Sequence, residues 1–227
     1  CAIPVKGDKN FEKLRSKINL DRTLKLTSDF DLHPALKTFK SLWDENLSAA
    51  VHATNIPYTG RSHFDGQNLM ESGGKIPYQE KTGWLGRGMK TAGLTGQGLA
   101  LALPMPLLIR GVPMNNNYFP VGRSLPFPAT LELIKKAYKE HDEKLLSENL
   151  EIILTRDFNN RSSDDAWILA SSAGTELSKP NGPKVAVFEV EGFDTHAAQG
   201  ATDGAHADCL SDYDSIIRSL KSSMSKE

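Results

Sequence analysis

Cysteine is almost absent from this chain, with two residues in 227, Cys1 and Cys209. So distant a pair is no disulfide framework. Both read as free thiols, and the redox compartment stays open. An excess of one charge sign is missing too: 27 basic residues stand against 28 acidic ones, for a formal net charge of −1. The Lys and Arg residues are scattered among acids and form no basic patch or stripe. A nucleic-acid footprint needs one, so no nucleic-acid partner is expected. Long apolar runs are also lacking. The most hydrophobic stretch, residues 98–109, is interrupted by Pro104 and Pro106. It reads as a buried loop or short strand, and no membrane span is expected. Nothing in the sequence reads as a signal peptide, an internal repeat or a low-complexity tract.

What is present suits a folded α/β domain. An apolar fraction of 39% over 227 residues is enough for one sizeable core, so a single domain over 1–227 is expected. A short helical segment is expected within 11–18. From Pro34, the spacing of Leu36, Phe39, Leu42, Trp43 and Leu47 predicts a helix with Pro34 in its first turn. Residues 49–53 predict a core strand joined to that helix by almost no loop, as in αβ connections. His52, inside that run, is expected to be buried and hydrogen-bonded.

Residues 55–83 are rich in Gly, Pro, Ser, Tyr and Asn. Within them, 62–70 predicts a short helix with Ser62 as its N-cap. Another helix is expected over 83–89, ended by Gly93, Gly96 and Gly98. Residues 104–128, with three consecutive Asn at 115–117, are expected to be poor in regular structure, as a lid or mobile loop. Residues 131–146 predict a helix, which 150–154 continue after a break. Ser162, Ser163, Asp164 and Asp165 lead into an N-capped helix that buries Trp167, Leu169, Ala170 and Ala173. Residues 184–190 predict a buried strand, and 210–224 a helix with Tyr213, Ile216, Ile217 and Leu220 on one face. Helices alternating with short, continuously apolar strands imply a layered, mostly parallel sheet flanked by helices.

The candidate chemistry gathers just past the 184–190 strand. The chain turns at Gly192 and presents Asp194 and His196. A carboxylate and an imidazole are suitable ligands for Zn²⁺, Mn²⁺ or Fe²⁺. Their i, i+2 spacing puts both on one side if the backbone is extended. His63 and Asp65 repeat that spacing, and convergence of the two pairs would bring four ligands into one cleft. The plainer readings are a capping Asp194 with a solvated His196, and a structural hydrogen bond for His63. His206 and Asp208 form a third pair in a polar, exposed segment, with Asp203 as a cap of the next element. His33, before Pro34, reads as a capping or loop residue, and His141 as solvated. Arg61 and Arg87 carry the planar fork that suits phosphate or sulfate, although surface ion pairs are their commoner fate. Ser62 and Thr195 are candidate nucleophiles, each needing a base or metal to be activated. Trp84 reads as a packing residue.

Three segments carry a resemblance. They are Arg61-Ser62-His63-Phe64-Asp65-Gly66-Gln67, Thr82-Gly83-Trp84-Leu85-Gly86-Arg87 and Gly192-Phe193-Asp194-Thr195-His196-Ala197-Ala198-Gln199. Asp31-Leu32-His33-Pro34-Ala35-Leu36 and Ala49-Ala50-Val51-His52 stand in the same order. The chain resembles the bacterial DUF1501 family of uncharacterised proteins, grouped with the alkaline phosphatase and sulfatase superfamily. The resemblance implies an alkaline-phosphatase-like fold, incomplete here. The family's first strand and its Ser-Glu-Phe-Gly-Arg-Thr segment have no counterpart, so the chain resembles the middle of that domain. It also implies further metal and site residues in those pieces, and a periplasmic or cell-surface location.

Two functions are expected from these features. One is a metal-dependent hydrolase of phosphate or sulfate esters. Asp194 and His196 hold a Zn, Mn or Ca ion with His63 and Asp65, while Arg61 and Ser62 serve the anionic substrate. The other is a non-catalytic scaffold that binds a polysaccharide or another secreted protein, because a fold does not by itself imply chemistry.

Overall fold

The computed structural model describes residues 9–18, 22–52, 54–118, 127–154 and 165–224. In chain order the elements are α1 (Lys9–Leu14), β1 (Leu24–Lys25), β2 (Asp31–Leu32), α2 (Lys37–Asp44), α3 (His63–Ser72), α4 (Trp84–Thr91), β3 (Gly98–Leu101), a 3-10 turn (Leu107–Ile109), β4 (Asn116–Tyr118), α5 (Pro128–Glu140), α6 (Lys144–Leu154), α7 (Ala166–Ser178), β5 (Val185–Val187) and α8 (Ala205–Met224). They fall into two compact units, residues 120–164 and the remainder of the chain.

The larger unit is α/β, built on a small parallel sheet in the order β4-β3-β5. Leu99 pairs with Asn116 on one side and with Ala186 on the other. The central strand β3 is buried along its whole length. Its side chains alternate between two helical layers, as strand geometry dictates. Ala100 packs with Met89 of α4, Ile109 and Val112, and Val185 and Val187 join that face. Leu99 and Leu101 pack on the other face with Leu169 and Ala173 of α7, and with Leu220 of α8. Within residues 98–109, read as buried loop or short strand, Gly98–Leu101 thus supplies the middle of the sheet.

The described part of 104–128 is poor in regular structure, as expected, and holds only the 3-10 turn and the three-residue edge strand β4 before α5 begins at Pro128. The asparagines make the strand possible. Asn115 Oδ1 accepts the Gly98 amide at 3.1 Å, Asn115 Nδ2 donates to Ile109 O at 2.8 Å, and Asn117 Nδ2 donates to Leu103 O at 2.7 Å. Residues 119–126 of that stretch lie outside the described residues. Residues 49–52 form no strand; Val51 is 80% exposed. Alanines offer too little apolar area to hold a strand in the core. His52 is exposed and stacks on Phe30 with ring centroids 4.2 Å apart, so it is not a buried histidine.

The Thr82–Arg87 motif is structural. Glycine at 86 lets α4 lie against the 3-10 turn, where a β-carbon would collide with the Arg110 carbonyl oxygen. Arg87 donates to Thr82 O and to Ser72 O, both at 2.8 Å, and ties the end of α3 to the start of α4. Its guanidinium is occupied by backbone carbonyls. Trp84 is half-exposed, with Nε1 donating to Met70 O at 3.1 Å.

A third cluster joins Leu32, Leu36 and Leu210 beneath the antiparallel β1–β2 pair. Helix α2 starts at Lys37, later than the sequence suggests, and a remote residue caps it. Asp214 of α8, 1% exposed, accepts from Thr38 N at 2.7 Å and Phe39 N at 3.1 Å, and Arg218 pairs with its other oxygen at 3.1 Å. In the smaller unit the expected helix over 131–146 breaks at Asp142, whose φ is +52°, a left-handed angle that aspartate tolerates. Leu145 therefore belongs to α6.

Candidate metal centre

The first candidate ligand comes from the start of α3. Ser62 caps this helix as its residue type predicts, its Oγ accepting from Asp65 N at 3.2 Å. His63 becomes the first helical residue and is exposed. Asp65 follows about 200° around the helix axis, so the two side chains of the pair diverge. Tyr58 takes up Asp65, its hydroxyl donating to Oδ2 at 3.1 Å while it accepts from Ser62 N at 3.3 Å. The expected His63–Asp65 ligand pair is therefore split: His63 joins the cluster and Asp65 does not.

The other two candidate ligands come from the segment after β5. Phe188 still packs in the core, and the chain then turns at Gly192 with φ +95°. The Cys209 thiol donates to Gly192 O at 3.0 Å; a β-carbon at 192 would sit 3.1 Å from that sulfur. His196 and Ala198 adopt left-handed φ of +44° and +51°. Such angles in residues with a β-carbon are costly and concentrate at functional sites. Here the turn folds the His196 ring back onto its neighbour, with Nε2 2.8 Å from Asp194 Oδ2.

The two segments meet. The rings of His63 and His196 lie edge-on with centroids 6.3 Å apart. One ligand atom each from His63, Asp194 and His196 lie within 4.8 Å of one another, and all three residues are exposed. Two metal bonds of about 2.1 Å placed end to end span about 4.2 Å, so small rotamer changes would close the three onto one ion. The donor set, two imidazoles and one carboxylate, fits a transition metal.

The remaining candidates lie elsewhere. Arg61 is exposed just ahead of the α3 cap, Thr195 is half-buried, and His141 ends α5 in solvent. His206 and Asp208 lie in the first turns of α8, Asp208 exposed as expected and His206 less so. Two helical positions apart, they point to different sides. His206 is half-buried, edge-on to Phe193 at 6.0 Å. Burial, with repulsion from the neighbouring His33, holds its imidazole below the usual histidine range. Asp203 does not cap α8; it pairs with Arg22 at 2.6 Å. Sequence reasoning missed the parts played by Tyr58, Cys209 and His33, whose partners are all remote in sequence or set by the turn. The split of His63 from Asp65 was foreseeable, because a helix beginning at Ser62 cannot present both on one side.

A cavity of about 590 Å³, lined by Asn116, Glu176, Lys179 and Gly182 among others, lies at the amino-terminal ends of the parallel strands. Asp194 and His196 follow β5 in the chain, past its carboxyl-terminal end, where open α/β sheets commonly place their ligand-binding loops. Among the described residues no helix is long and apolar enough to cross a membrane. Fold and site together define a small parallel α/β unit with a candidate metal-ligand cluster beyond a strand end. No family model, curated protein or solved structure matches the chain.

Proposed function

We propose that the protein binds a divalent metal ion through His63, Asp194 and His196 and hydrolyses phosphate or sulfate esters with it. The supporting observation is the meeting of three ligand atoms from two distant segments within 4.8 Å. Two nitrogens and one carboxylate favour Zn²⁺ or Mn²⁺ over Ca²⁺, which prefers all-oxygen shells. When bound, such an ion polarises the ester oxygen and lowers the pKa of a bound water.

The chain's own groups supply the rest. His63 is fixed by the first turn of α3, and three protein ligands leave coordination positions open for water and substrate. Arg61, exposed beside the cap, offsets charge on the ester. Ser62 keeps its oxygen engaged with the Asp65 amide, so water is the nucleophile in this reading. An alkaline-phosphatase-like layered fold and a periplasmic or cell-surface location belong to the same proposal, and the resemblance to DUF1501 proteins supports them.

The full chain, stripped of metal and then given Zn²⁺ or Mn²⁺, should release nitrophenol from the phosphate or sulfate ester. His63→Ala should lower that release by about 100-fold or more. Failure to retain either ion, together with no release above the metal-free control, would end this reading. The openness of the site favours a second one. The side chains of Asp194 and His196 are 62% and 75% exposed, more than a water-excluding active site ordinarily leaves them. A scaffold that binds a polysaccharide without chemistry predicts retention on that polysaccharide, unchanged by His63→Ala.

A further inference from the structure

A buried histidine holds the loop that carries Asp194 and His196. His33 lies between Leu32 and Leu36, each 1% exposed, and is itself 6% exposed. Both neighbours belong to the cluster with Leu210 of α8, so the imidazole is clamped by the core. Its Nδ1 accepts from Ala35 N at 3.2 Å. That acceptor role leaves the ring proton on Nε2, which lies 2.9 Å from Ala201 O and donates to it.

The other ties of residues 192–204 are weaker in kind. Cys209 gives Gly192 O a thiol donor, the poorest among side chains. Arg22 and Asp203 pair at 2.6 Å, but their side chains are 66% and 79% exposed, where ion pairs add little. The Gln199 carbonyl takes His206 N at 3.1 Å, a single backbone bond to the first turn of α8. Among the described residues that hydrogen-bond this loop through a side chain, His33 is the buried one, and it is rooted in packed neighbours. It fixes Ala201, a few residues beyond His196, and so limits where the left-handed turn can carry its ligands.

We infer that His33 is a positioning residue for the metal-ligand loop, holding Asp194 and His196 against His63 through its hydrogen bond to the Ala201 carbonyl. The metal part of this inference rests on the functional reading above; the anchoring part does not. His33 touches neither ion nor substrate, so its role is to set the geometry in which the ligands meet.

Two polar replacements divide the imidazole's contacts. His33→Asn places an oxygen where Nδ1 stands, keeps the Ala35 bond and falls short of Ala201. His33→Gln places a donor nitrogen where Nε2 stands. Amide hydrogen exchange and Zn²⁺ titration are measured on the full chain for both. In His33→Asn, exchange at Ala201 and His206 should quicken by about tenfold and the Zn²⁺ Kd should rise by about tenfold, the scale of one lost buried hydrogen bond. Exchange at Ala173 and Leu210 in the helical core should not change. His33→Gln should return both quantities to within about threefold of the unsubstituted protein.

Unchanged loop exchange in His33→Asn, equal impairment in His33→Gln, or core amides that quicken with the loop would each overturn the anchoring. Quickened exchange with an unchanged Zn²⁺ Kd would overturn the positioning role. If the unsubstituted protein takes up no Zn²⁺, the functional reading fails with the metal half of this inference, and the exchange data alone decide the anchor.

Discussion

The packed middle of the larger unit and the loop that follows β5 are built on opposite terms. In the first, β3 lies between α4 on one face and α7 with α8 on the other, and every one of its residues is buried. In the second, Asp194 and His196 stand in solvent on backbone bent through Gly192, His196 and Ala198. Stability accumulates where apolar area is removed from water, and the geometry of the candidate ligands is held by a few polar contacts. Proteins open most easily where buried apolar contacts are few, and binding loops are drawn from that end of the scale. A substitution in one region should therefore be read on a different instrument from a substitution in the other.

The largest expected effect is in the core. Gly86→Ala forces a methyl group into the Arg110 carbonyl and should cost about 3 kcal/mol of unfolding free energy in urea titration. An unchanged midpoint would mean that α4 is not held against the 3-10 turn, and the contrast would lose its first half. Asp214→Ala removes the buried carboxylate that caps α2 and should cost about 2 kcal/mol by the same measurement.

A smaller, pH-dependent effect sits at the border between the regions. The folded-state pKa of His206 is lowered by burial and by His33, so the unfolded chain takes up a proton first. Stability should fall as pH drops below the unfolded value of 6.5 and level off once His206 titrates in the folded state. His206→Gln should flatten that part of the curve, and a curve identical to the parent's would assign the acid sensitivity elsewhere. The smallest effect on stability is expected at the ligands. Asp194→Asn should change unfolding free energy by less than about 0.5 kcal/mol while removing Zn²⁺ uptake in equilibrium dialysis. A large loss of stability there would show that the loop belongs to the core after all.

Much of the architecture is legible along the chain because its causes are local. Ser62 announces α3, and the apolar run at Val185–Val187 announces a strand that pairs in parallel with β3 at an edge of the sheet. Other elements are illegible for equally physical reasons. The 49–53 run looks like a strand by composition, but strands exist only where an edge offers partners, and none pairs with it among the described residues. The Asn-rich segment looks like loop, yet its side-chain amides bond backbone groups of neighbouring segments and let Asn116–Tyr118 pair with β3. At the site, Asp194 and His196 were readable as a pair from their spacing. Asp65 was a false partner, because i, i+2 on a helix separates side chains that the same spacing in an extended chain would align.

Residue order sets the secondary elements that have strong caps or apolar periodicity, and it supplies the residue types able to hold a metal ion. Those properties depend on neighbours within a turn or two of chain. Tertiary structure alone decided that His63 meets Asp194 and His196, that Tyr58 claims Asp65, and that His33 holds the ligand loop through Ala201. Each of these contacts takes its direction from a helix start or a backbone turn and its partner from the packing around it, and no spacing in the sequence encodes where those surfaces come together.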